Sequence, residues 1–228
     1  LVERALGREG AVAKIVTMVA KVIGDNCTGC SLCVFSCPTV ALTMRPRRND
    51  EPGPGRMIAE LNEADCYNAQ NCLEMCPDDA IVMEALGTPF TVGFDASGTD
   101  ADEVLNLCLR AGVLPDQRVC YCTETNADEL AAAILHGADA PEKLSLATGA
   151  RTGCTEICHF PIMRLLEAAG HDPVSRVPAR GYQGYGIIGR LMDHVADDGT
   201  VDPDLTDGFP AYPIDKDVNL INFDLEGA

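Results

Sequence analysis

Cys27, Cys30, Cys33 and Cys37 stand at offsets of zero, three, six and ten, and Pro38 follows the last of them. Thiolates are soft metal ligands, and three sulfurs two residues apart can converge on one corner of an iron–sulfur cubane. The run C-x2-C-x2-C-x3-C-P is a signature of such ligation. A single cysteine is often a small buried hydrophobe. Four at this spacing, in a chain whose thiols stay reduced, point instead to metal or redox chemistry.

A second run overlays the first position by position: Cys66, Ala69, Cys72, Cys76 and Pro77, with Ala69 where the second cysteine belongs. Asp78 to Met83 then mirrors Thr39 to Met44, so the chain carries an internal repeat of strand, cysteine loop, short helix and strand. Further on come the pairs Cys120/Cys122 and Cys154/Cys158.

The elements around these thiols follow from local pattern. Thr17 to Gly24 is apolar and β-branched and reads as a strand leading to Cys27; Ala41 to Met44 and Met57 to Leu61 read as two more. A helical turn is expected after Pro38. The segment 45–56 is rich in Pro and Gly and must be a loop, its Arg45, Arg47 and Arg48 forming a solvated basic spot. Residues 85–102 read as a linker with one strand at Phe90 to Phe94, followed by a helix over Asp100 to Leu109 with Cys108 in the core. Asn126 is placed to cap a helix over Ala127 to His136, with Glu129 completing a capping box and Gly137 closing it. Pro141 starts a helix that ends before Gly149, and another runs from near Pro161 to Gly170.

Composition excludes several functions. Thirty-five acidic residues against 17 basic give a net charge of −18, which argues against nucleic acid and anionic membrane as partners. The longest apolar run, Ile15 to Ile23, contains Lys21 and is too short to span a bilayer, so no membrane insertion is expected. There is no nucleophile elbow, H-E-x-x-H or nucleotide fingerprint, and His136, His159, His171 and His194 have ordinary surroundings. No catalytic residue is assigned. No signal peptide leads the chain, and the cysteine spacings are those of metal ligands, so the cytoplasm is the expected compartment.

On these motifs, residues 17–84 resemble a two-cluster bacterial ferredoxin domain with a longer central hairpin. The resemblance implies two short β-hairpins and two short helices, with the fourth cysteine of each run ligating the other cluster. Cys27, Cys30, Cys33 and Cys76 would then hold a [4Fe-4S] cluster, and Cys37, Cys66 and Cys72 the second. Alanine has no donor atom, and three outcomes stay open at that corner. The site holds [3Fe-4S], as in seven-iron ferredoxins; or it holds a second [4Fe-4S] with water, Asn68, Gln70 or Asp65 at the odd iron; or it is empty.

Residues 103–170 resemble the bacterioferritin-associated-ferredoxin-like [2Fe-2S] domain. That domain also occurs in assimilatory nitrite reductases and in small subunits of FAD-dependent amino-acid oxidoreductases. The likeness rests on Cys120, Cys122, Cys154 and Cys158, with Ala132 to Gly137 and Thr148 to Gly153 around them. It implies a small all-helical domain in which these four cysteines hold [2Fe-2S]. The last pair is C-x3-C where the family has C-x2-C, His159 is an alternative donor, and zinc is the rival metal.

The expected fold class is therefore α+β: an N-terminal lead-in (1–16), a ferredoxin-like domain (17–84), a linker (85–102), a helical [2Fe-2S] domain (103–170) and an irregular tail (171–228) wrapped on a partner. The expected function is an electron-transfer iron–sulfur subunit. It would relay single electrons between a flavoprotein or other substrate-converting oxidoreductase subunit and an external carrier, within a hetero-oligomer. The alternatives are a free-standing multi-cluster ferredoxin and an iron–sulfur assembly or sensing module.

Overall fold

The β-branched stretch near the start forms strand β1 (Lys14–Val22), which buries Val16, Val19 and Ala20. The computed structural model describes residues 14–154, 157–172 and 200. The lead-in before Lys14 and the irregular tail beyond 172, apart from Thr200, lie outside the described residues. All described residues except Thr200 fall in one compact unit, Leu1–Tyr185.

After Cys30 the chain makes helix α1 (Leu32–Ser36), then strands β2 (Leu42–Pro46) and β3 (Met57–Leu61), which pair antiparallel as a hairpin with Leu42 opposite Leu61. The helix lies before Cys37, where a turn after Pro38 was expected; Pro38 and Thr39 form only a tight turn. The second half of the repeat gives helix α2 (Asn71–Glu74) and strand β4 (Ile81–Val92). β4 pairs antiparallel with β1 along its whole length, from Val22 opposite Ile81 to Lys14 opposite Val92. It therefore runs well into the stretch expected to be a linker. Phe90 faces Val16 and Ala85 faces Met18, so the four residues between bulge out, and Pro89, which has no N–H to donate, sits among them.

The second half contains helices α3 (Ala101–Arg110), α4 (Ala127–Leu135), α5 (Pro141–Thr148) and α6 (His159–Ala168), together with two very short strands, β5 (Arg118–Cys120) and β6 (Thr125–Asn126). It is thus not all-helical, because Cys120 ends β5 of a small antiparallel β5–β6 ladder and Cys122 lies in the turn between the two strands. Asp100 caps α3 by accepting from the Asp102 and Glu103 amides. Cys108 is fully buried in an apolar core with Leu107, Leu130, Leu144, Leu165 and Leu166. A separate core gathers Val19, Leu42, Ile58 and Ile81 with Cys27, Cys33, Cys37, Cys66 and Cys72, and Cys76 packs against it. The mixed helices and small antiparallel sheets of the described residues are compatible with an α+β fold.

The capping box expected at α4 does not form. Asn126 makes no side-chain cap; it is drawn into β6, and Glu129 turns instead to accept from the Phe94 amide at 3.0 Å. Burial pushes the Glu129 carboxyl up to about 7, against the Phe94 hydrogen bond, which pulls it down. The folded state therefore holds a proton that an unfolded glutamate releases near 4.5, and stability is lost as pH rises between those values. Glu129→Gln keeps the accepting oxygen and removes this loss. Between about pH 5.5 and about pH 8 the wild type should lose roughly 1–2 kcal/mol more than the variant in anaerobic unfolding, a figure discounted for partial exposure.

Candidate iron–sulfur sites

The repeat is written in the backbone as well as in the cysteines. Gly29, Ser31 and Val40 have positive φ of 81°, 69° and 60°, and their counterparts Asn68, Gln70 and Asp79 have 54°, 63° and 49°. Side chains disfavour this region, and a β-branched valine especially so. Keeping three matched left-handed positions in each half therefore means that both loops hold one shape. Ala69 lies between Asn68 and Gln70 as Cys30 lies between Gly29 and Ser31.

Site I is a pocket of about 320 Å³ lined by Cys27, Cys30, Cys33 and Cys76. Burial pushes the Cys33 thiol up to about 11, helped by the charges of Cys27, Cys30 and Cys76. The other half of the repeat closes over it, with Thr28 Oγ1 donating to Asp78 Oδ2 at 2.6 Å and the Ala80 amide donating to Cys76 Sγ at 3.2 Å. A Cβ on Gly29 would stand 2.7 Å from the Met57 carbonyl, so only glycine fits there.

Arg47, read from sequence as part of a solvated basic spot, is a buttress of this site. Its guanidinium donates to the carbonyls of Cys27 (2.7 Å), Gly55 (2.9 Å), Gly24 (3.2 Å) and Pro52. Arg45 pairs with Glu51 and Glu60. An arginine directly after a proline in a Pro/Gly loop was the available signal, since such loops need donors for their carbonyls.

Site II is a pocket of about 330 Å³ lined by Cys37, Cys66 and Cys72, with Ala69 at the remaining corner. It is as large as site I despite the missing thiol. All three cysteines are buried, and burial pushes Cys72 up to about 12, with the charges of Cys37, Cys66 and Cys33 adding to it. The Ala20 amide of β1 donates to Cys66 Sγ at 3.4 Å, and Thr39 Oγ1 donates to the Asp65 carbonyl at 2.6 Å. Of the polar residues considered for the open corner, only Gln70 lines the pocket. Its Nε2 donates to Asn68 Oδ1, and Asp65 Oδ2 accepts from Asn62.

Site III assembles from two pairs. The Cys158 thiol donates to Cys120, which lowers Cys120 to about 5 and, with burial, raises Cys158. The Cys154 amide donates to Cys122 Sγ at 3.4 Å; that bond favours the Cys122 thiolate, but burial and the Cys154 and Cys120 thiols outweigh it and raise the group. The longer C-x3-C spacing still brings Cys158 to Cys120. His159 sets its Nε2 2.8 Å from Met163 Sδ within α6, and burial lowers it to about 4. Gly153 is the contact point of the two loops: a Cβ there would fall 2.5 Å from Cys122 Cβ and 2.8 Å from its Sγ. A glycine directly before a ligand-type cysteine was the only sign of this in the sequence.

Lys14 joins the halves. Its Nζ donates to the Thr152 carbonyl at 2.6 Å and to Thr152 Oγ1 at 2.7 Å. Burial lowers it to about 8, while the thiols of Cys120, Cys122 and Cys66 pull it up, so it is charged at neutral pH.

Among the described residues, no group of three or more His, Cys, Asp or Glu side chains is gathered to hold one metal ion. Zinc would need four sulfurs at about 2.3 Å from a single point. Sites I and II instead set thiols around a void, which suits a polyatomic core whose irons each take one cysteine. Among the described residues, no helix is long and apolar enough to cross a membrane.

Comparison with protein families gives two matches. A 4Fe-4S dicluster domain matches residues 26–80, and a BFD-like [2Fe-2S] binding domain matches residues 118–168. No curated protein and no solved structure matches the chain. The two family matches support an iron–sulfur protein and, with it, electron transfer in general.

Proposed function

We propose that the chain is the electron-transfer subunit of a hetero-oligomeric oxidoreductase, relaying single electrons between a flavin-containing or substrate-converting partner and an external carrier. In this reading Cys27, Cys30, Cys33 and Cys76 hold [4Fe-4S], Cys37, Cys66 and Cys72 hold [3Fe-4S], and Cys120, Cys122, Cys154 and Cys158 hold [2Fe-2S]. The observation that carries it is three thiol-built sites in one compact unit, two of which reach the surface: site I through Cys30, and site III through Cys122 and Cys154.

Bound clusters supply one-electron chemistry. The chain's own residues bind and tune them. The amides of Ala20, Ala80 and Cys154 donate to ligand sulfurs and so favour the more negative, reduced state. Buried thiols around sites I and II must give up their protons on ligation, so cluster insertion should release acid. Site II keeps the volume and loop shape of site I while Ala69 offers only a methyl group, which favours a three-iron core over an empty site.

Anaerobic isolation of the tagged chain from its native host tests the reading. Stoichiometric recovery of a flavoprotein whose substrate reduces the iron–sulfur centres supports it. A flavin-free monomer that passes its clusters to an apo-acceptor faster than it passes electrons contradicts it.

A further inference from the structure

We propose that site II, and not site I, exchanges electrons with site III, across a junction built by Lys14 and Tyr67. The proposal rests on the relay reading above and adds the order of its centres. Tyr67 follows the site II cysteine Cys66 and lines that pocket. Its hydroxyl donates to the Leu146 carbonyl of α5 at 3.0 Å, and its ring meets Phe90 of β4 edge-on at 6.0 Å.

β1 makes the second link. At Ala20 its amide donates to Cys66 Sγ, and at Lys14 its side chain donates twice to Thr152, in the loop that leads to Cys154. The turn after α5 packs on the same strand end, since a Cβ on Gly149 would lie 3.4 Å from Lys14 Cβ and 3.6 Å from Val92. Lys14 lies within electrostatic reach of Cys66 of site II and of Cys120 and Cys122 of site III. The exposure of the thiols agrees with this order: sites I and III each show cysteines at the surface, whereas all three of site II are buried, as suits the middle of a row.

The step passes one electron from the reduced centre to the oxidised one, with no bond made or broken and no proton leaving Lys14. Lys14 is a positioning residue: its charge stabilises the extra electron on either neighbour, and its bonds to Thr152 hold the loops together.

The test is a redox titration of the anaerobic holoprotein followed by electron paramagnetic resonance. In the wild type, the reduced [2Fe-2S] signal should be broadened or relaxed by site II, whose three-iron core is paramagnetic in both redox states, and should change little when site I passes from its diamagnetic oxidised to its paramagnetic reduced state. Lys14→Met should lower the reduced-to-oxidised ratio of sites II and III about tenfold at a given potential, ~59 mV for a one-electron centre, with site I unmoved. Lys14→Arg should restore it. Stronger coupling of site III to site I, or a Lys14→Met shift confined to site I or absent everywhere, overturns the order of centres while leaving the relay intact. Centres that cannot be reduced and reoxidised in the wild type sink the relay reading itself.

Discussion

On the proposed ligand set, Ala69→Cys should convert site II from a three-iron to a four-iron centre. The backbone already presents position 69 as it presents Cys30, because Asn68 and Gln70 repeat the left-handed conformations of Gly29 and Ser31, and Ala69 lines the pocket beside Cys66 and Cys72. A sulfur added to its Cβ would join a pocket that Cys37, Cys66 and Cys72 already line. Iron should rise from about nine to about ten atoms per chain. The oxidised three-iron resonance should vanish, and a reduced cubane signal should replace it at lower potential. A three-iron signal that survives in the variant contradicts the ligand set of site II. Site I should be untouched, because residue 69 does not line its pocket, and site III because its Cys120 and Cys158 belong to the other core.

The second large effect is expected at Gly153. The Cys122 and Cys154 loops meet there with no room for a methyl group, and Cys122 cannot retreat without abandoning the Cys154 amide that donates to it. Gly153→Ala should reduce [2Fe-2S] occupancy or metal affinity by roughly 10–100-fold, the range found when groups that orient ligands are lost. Cys154→Ser should do the same by removing a ligand outright. In both variants the charge-transfer absorption of site III should fade while the dicluster signals persist, because the two halves have separate cores. Loss of every centre at once would mean that the cores do not stand independently; full [2Fe-2S] content in Gly153→Ala would mean that the loops open more easily than their packing implies.

The cysteine groups were legible in the sequence because ligand spacing is local. The fourth members of each run, Cys37 and Cys76, cross between pockets, and that crossing came from a family likeness rather than from spacing. What stayed hidden depended on pairing over long distances. Lys14 was counted in a lead-in because nothing near it in sequence shows that β4 runs on to Val92 and extends β1 back to it. Glu129 and Asn126 fit a capping box by pattern, yet β6 and the Phe94 amide compete for both and win. Arg47 looked solvated because the carbonyls it serves, from Gly24 to Gly55, come from separate turns that only the fold brings together. Tyr67 was one aromatic among eleven Phe and Tyr residues, and its reach to Leu146 is a contact between the two halves of the chain.

Iron and acid-labile sulfide content of the chain purified without oxygen tests the central claim most directly. Four-iron, three-iron and two-iron centres together predict about nine iron and about ten sulfide per chain, in a coloured protein whose centres accept electrons one at a time. A folded, colourless protein containing zinc, or no transition metal at all, would contradict the account.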